Sequence, residues 1–184
     1  FGIFMVYLSF ILIIPIFIYI GSRNNFSKMD VKIDEAASGI DVQLKRRRDT
    51  LTKLIDSVKG SMDFEKETME KITRLRTFNF EGASMDEKSK AYSRLNSVTK
   101  DLNVTLEAYP NLKSTEAVVE FQKSTRIIED DIAASRRIYN QNISVFNQKC
   151  RTWPSNVAAY NMHLEMKLFF EVTSEDRADV KVDF

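Results

Sequence analysis

Between Ile33 and Val58 every third or fourth residue belongs to one series: Ile33, Ala37, Ile40, Leu44, Arg47, Leu51, Leu54 and Val58. Alternating steps of four and three keep side chains on one stripe of an α-helix and suit no strand. The series resumes at Met62, Glu65, Met69, Ile72 and Arg76 after two consecutive steps of four around Gly60. Such a stutter unwinds a supercoil locally without ending a helix. The spacing therefore predicts a single rod from Ile33 to Arg76 rather than a helical hairpin, roughly 65 to 70 Å long. Everything after the rod must pack against it.

Ahead of the rod, Phe1 to Ile20 contains no charged residue. At helical rise such a run covers the ~30 Å hydrocarbon core of a bilayer, and spanning helices tolerate a proline such as Pro15. A secretory signal would end in small residues at a cleavage site, whereas this run ends in Ile20, Gly21, Ser22 and Arg23. The expectation is a transmembrane anchor over residues 1–22, with the lipid bilayer as its partner, a juxtamembrane linker over 23–32 and a helical bundle over 33–184. Asn24 and Asn25 mark a break between span and rod. Phe1 in place of Met points to a leader that was removed or not included. Arg23, Lys28 and Lys32 follow the span, which predicts a single-pass protein of the cell membrane with its bundle in the cytoplasm. The single cysteine, Cys150, agrees with a reducing compartment.

Asn79, Gly82 and Ser84 supply a turn after the rod, and Ser84 with Glu87 has the spacing of a capping box. A second helix carries Ala91, Leu95, Val98, Leu102, Leu106 and Tyr109 and stops before Pro110. Ser114 or Thr115 caps a third, from Glu116 to Lys149, with Val118, Phe121, Ile128, Ile132, Tyr139, Ile143, Phe146 and Cys150 on one face. Trp153 and Pro154 interrupt it. Ser155 then opens a fourth helix ending near Glu171, and the tail from Thr173 to Phe184 reads as an extended segment docked on the bundle. With only five glycines and three prolines, the chain is all-α. The predicted fold is a transmembrane helix followed by an antiparallel four-helix bundle built on one long helix.

The wording of several stretches is specific. IDEAASGIDVQLKRRRDTLTKLIDSVKG and FEKETMEKITRLR in the rod, AYPNLKST, IEDDIAASRRIYNQNISVFN, WPSNVAAY and the ending VKVDF occur in order. Together they closely resemble the LemA family of bacterial proteins from Asp34 to Phe184. The resemblance implies one amino-terminal span, an antiparallel helical bundle, and no settled activity; some relatives are linked to organising specialised bacterial membranes. The chain departs from the family at Ala37, Phe64 and Leu51–Thr52–Lys53. Thr52 in place of the family's proline implies a straighter rod.

Reactive groups are few. His163 is the only histidine, so neither a histidine metal site nor a histidine relay has a second imidazole. Cys150 lacks a setting that would activate its thiol. No glycine-rich phosphate loop is present, and a net charge of +1 argues against a nucleic-acid partner. We expect no catalytic, cofactor or metal site. Lys45, Arg46, Arg47 and Arg48 point about 100° apart around a helix and form no common face. Arg47 falls on the apolar stripe, with Glu129 beside the Ile128 and Ile132 face as its best partner; Glu65 and Arg76 are further candidate seam charges. Helix lengths leave Ile33, Ala37, Ile40 and Leu44 without an intrachain partner, so this stripe is the expected self-association surface. These features predict a non-enzymatic, membrane-anchored scaffold that forms homo-oligomers or joins other membrane proteins. The alternatives are a sensory or ligand-binding bundle and a pilin-like filament subunit.

Overall fold

The computed structural model describes residues 2–171, with side chains from Ile13 onward. Six helices make up the regular structure of these residues: α1 (Gly2–Val58), α2 (Lys66–Thr77), α3 (Met85–Glu107), α4 (Pro110–Lys113), α5 (Glu116–Arg151) and α6 (Ser155–Asn161). Two compact units form. One takes α1 up to Ala36 together with Ile138–Phe169; the other takes Ala37–Arg137 together with Phe170 and Glu171. The expected tail from Thr173 to Phe184 lies outside the described residues.

In the unit beginning at Ala37, the single rod does not form. α1 stops at Val58, and Ser61 N–H closes a turn on the Val58 carbonyl at 2.8 Å. α2 then runs back beside α1, since Arg76 reaches Asp56 at 2.7 Å and Arg48 donates to the Phe78 carbonyl at 3.0 Å. Glycine inside a helix costs about 1 kcal/mol, and reversal at Gly60 lets Met62, Ile72 and Leu75 be buried against this unit's core. The two steps of four were a coincidence of register. Across the break the buried series of α2 is Thr68, Ile72 and Leu75, while Met69 faces outward.

This reversal also sets the direction of α3. Gly82 adopts φ 81°, a left-handed turn conformation open to glycine. Ser84 then starts α3 with a complete capping box: Glu87 N–H donates to its hydroxyl, and its own N–H donates to Glu87 Oε2 at 2.7 Å. Because α2 has already turned the chain, α3 runs parallel to α1, with Lys88 at Asp41 and Tyr92 at Arg47. α5 returns antiparallel, with Asp131 at Arg46 and Glu129 at Arg47. This unit is therefore a three-helix core of α1, α3 and α5 with the short α2 against α1 and α3. It is not the four-helix arrangement expected.

In the other unit α1 and α5 are again antiparallel: Phe26 meets Phe146 edge-on at 5.5 Å, and Asn142 donates to the Lys32 carbonyl at 3.3 Å. The expected linker at 23–32 is helix throughout. Two asparagines cost at most about 0.7 kcal/mol each in a helix, less than the roughly 1.5–3 kcal/mol from burying one large apolar side chain. Phe26 is that side chain, 2% exposed.

The fourth helix ends ten residues earlier than expected, at Asn161 instead of Glu171. His163 takes φ 52° and Leu164 N–H donates to the Ala159 carbonyl at 3.0 Å, a left-handed C-terminal stop. From Leu164 the chain is an extended strap along α5. Asn147 holds it with a pair of 2.9 Å bonds to the Lys167 N–H and carbonyl, and Tyr139 donates to the Leu168 carbonyl at 3.1 Å. Lys167 also reaches Asp30 at 2.6 Å.

Candidate functional site

The basic run on α1 is split four ways, as helical geometry requires. Lys45 is exposed without an ion pair among the described residues, and Arg46 makes a surface pair with Asp131 at 3.3 Å. Arg48 stacks on the Phe80 ring and bonds Asp49. Arg47 turns into the core. It is 4% exposed, and its Nη2 lies 2.5 Å from Glu129 Oε1.

The second oxygen of Glu129 accepts from the Tyr92 hydroxyl at 3.0 Å, and the Arg47 guanidinium lies over the Tyr92 ring at 5.2 Å. One residue from each of α1, α3 and α5 thus closes a clasp that is buried at Arg47 and Tyr92 and half-buried at Glu129. Burial pushes the Tyr92 hydroxyl above its ordinary pKa, and the neighbouring Glu129 charge adds to the rise. Tyr92 therefore keeps its proton and remains a donor. Each carboxylate oxygen of Glu129 thus has a partner within the clasp. Nε and Nη1 of Arg47 make no hydrogen bond, so the clasp confers register at a cost in desolvation.

A second buried pair lies nearby in the same unit. Lys88, 5% exposed, reaches Asp41 at 2.6 Å. Burial raises the Asp41 carboxyl above its ordinary pKa even though Lys88 pulls it down. Asp41 also lines an open cleft of about 460 Å³ with Ser38, Lys45, Arg48 and the turn from Thr77 to Glu81. Its wall mixes both charges with the apolar Val42, Phe78 and Phe80.

The remaining candidates fall elsewhere. Glu65 is the exposed N-cap of α2 and Arg76 makes an exposed pair with Asp56, so neither is a seam charge. Their assignment followed from carrying the α1 register across a turn. Ile33 (3% exposed), Ile40 (0%) and Leu44 (0%) are covered by the chain's own residues, and Ala37 is half-buried. The stripe is internal, because α3 starts level with Asp41 and α5 reaches back past Lys32 within their respective units. Cys150 is half-buried, and burial lifts its thiol pKa more than Lys167 lowers it. Sequence reasoning missed Asp41, Lys88, Tyr92 and the strap. A signal existed for Lys88, which stands one turn ahead of Ala91 and Tyr92 on the α3 stripe.

The model of the LemA family matches residues 36–184. The chain belongs to the LemA family. The LemA protein of Metamycoplasma hominis is 34% identical over 177 residues, covering 94% of this chain and 80% of the relative. The clasp and the cleft both lie in the part that the family model spans.

Proposed function

We propose that this LemA-family chain is a non-enzymatic, membrane-anchored organising protein, held by its amino-terminal helix. One observation carries the reading. Ile13, Ile14, Ile16, Phe17, Ile18 and Ile20 are 41–70% exposed; at 100° per residue they cover roughly 200° of α1, and the exposed Pro15 and half-buried Tyr19 occupy the rest. A helix apolar all round needs an apolar environment. Among the described residues no helix is long and apolar enough to cross a membrane; the expected span falls mostly on residues 1–12, whose side chains lie outside the described ones. Continuation of the uncharged run to Phe1 in the sequence supports an anchor there.

Basic residues after the run support a cytoplasmic bundle. Assembly would then use surfaces other than Ile33, Ile40 and Leu44, which are spent inside the chain. Family membership and the helical continuation of α1 weigh against a pilin-like subunit. The test is imaging and proximity crosslinking in native membranes. Patches or arrays containing several copies, or one constant membrane partner, are expected; dispersed, uncrosslinked monomers contradict the proposal.

The cleft beside Arg48 favours a second reading, a bundle that senses a small ligand carrying both a charged and an apolar part. A metabolite that raises Tm, with the rise lost in Lys45→Glu, would favour it over the first.

A further inference from the structure

The outward face of α6 is built the wrong way round for a helix that only packs on its own chain. Its small residues Ala158 and Ala159 are buried, whereas Trp153, just ahead of it, Val157 and Tyr160 are 80%, 50% and 81% exposed. A step of three places Val157 and Tyr160 on one side of α6, and Trp153 stands exposed in the turn that leads into it. Within this unit Phe26 lies opposite Phe146 and Lys32 opposite Asn142, which gives the levels of α1 and α5. Counting on from Phe146 to Arg151, on the order of 7 Å at helical rise, reaches the level of Gly21. That is where the exposed apolar run of α1 ends.

The charges at this end are also unbalanced. Arg23, Lys149 and Arg151 have no ion pair among the described residues; Arg23 and Arg151 are exposed, and Arg151 Nε donates to Met166 Sδ at 3.1 Å. Tryptophan and tyrosine with apolar bodies and polar tips, at the same end as basic residues, match the chemistry of a bilayer's headgroup layer. A cytoplasmic-type anionic surface would complement the basic excess.

We propose that Trp153, Val157 and Tyr160 form a foot that rests in the headgroup layer of the same anionic bilayer that the apolar run of α1 enters. The proposal rests on the anchored reading above. The foot gives the unit a second hold on the membrane and fixes its tilt, which a single helix cannot do.

Trp153 is the only tryptophan, so its emission reports this face alone. The full chain is reconstituted in vesicles of phosphatidylcholine and phosphatidylglycerol, with lipids brominated near the headgroup end of their acyl chains, and floated. The expected result is a floating chain whose emission falls about twofold with brominated lipid, as for a side chain at the headgroup–acyl boundary, and which resists acrylamide. Val157→Asp with Tyr160→Asp, both exposed positions, should restore acrylamide access while the chain still floats. A floating chain with no bromine quenching and full acrylamide access overturns the foot and leaves the anchor standing. Protection from acrylamide without bromine quenching also overturns it, because a second protein then covers the face. A chain that does not float overturns the anchor and the foot together.

Discussion

The two units use opposite means to hold the same two long helices. From Ala37 onward the seam contains charges, with Arg47 clasped by Glu129 and Lys88 by Asp41, both cations at most 5% exposed. In the other unit the helices meet through Phe26 and Phe146, the Asn147 amide and Tyr139 hydroxyl fasten the strap to α5, and the Lys167–Asp30 pair on the strap stays open to solvent. A buried ion pair adds little net stability and penalises every register that leaves one member alone. An apolar contact is tolerant of register. The register-setting charges thus sit in the unit with three neighbouring helices, where the alternative packings are most numerous.

The largest test of this contrast is Ile40→Asp. A carboxylate at a fully buried site without a cation should destabilise the charged-seam unit by on the order of 5 kcal/mol. Denaturant unfolding checks it. If Ile40 were instead a surface contact between copies, the variant would stay folded and only the chain mass would change.

Glu129→Ala should come next, costing about 3 kcal/mol because it strands Arg47 in the core. Replacing both Arg47 and Glu129 with leucine should recover much of that loss in a double-mutant cycle. A cycle with additive effects would remove the register role assigned to the clasp.

Asn147→Ala probes the neutral side of the comparison. It deletes both bonds to Lys167 and should cost about 2 kcal/mol, with faster hydrogen exchange confined to the strap and the facing turns of α5. A global effect as large as that of Glu129→Ala would dissolve the contrast.

The smallest effect belongs to the α3 cap, where bonds from Ser84 lower the Glu87 pKa. A depressed carboxylate pKa stabilises the fold above the unfolded-state value, and that stability is lost as pH falls through the folded-state value. Ser84→Ala should cost about 1 kcal/mol at neutral pH, and because the N–H of residue 84 still donates to Glu87, the variant should keep most of this loss of stability in acid. A pH dependence that Glu87→Gln leaves unchanged would show that Glu87 takes no part.

Much of the fold was legible because local chemistry and packing agree. The α1 stripe from Ile40 to Val58, the Ser84–Glu87 box and the face of α5 are all stated by residues close in sequence. Arg47 could be matched to Glu129 because each sits at an apolar stripe where a charge demands a partner. The hairpin at Gly60 was hidden, since its two flanks share a continuous register and only burial of Ile72 and Leu75 breaks the tie. Asn24 and Asn25 read as a break because Phe26, the residue that overrides them, finds its partner 120 residues later. His163 looked like an ordinary surface residue; its role is a backbone conformation, which side-chain chemistry does not announce. The strap depends on Asn147, whose amide could have bonded anything.

Both proposals depend on the exposed apolar run of α1 holding the chain in a bilayer. Alkaline carbonate extraction of native membranes tests this most directly, because high pH strips proteins held by charge and leaves those held by apolar burial. The wild-type chain is expected to stay in the membrane pellet, and Ile14→Lys with Phe17→Lys to move it towards the supernatant with its bundle still folded. Complete release of the wild-type chain by carbonate would contradict the anchor.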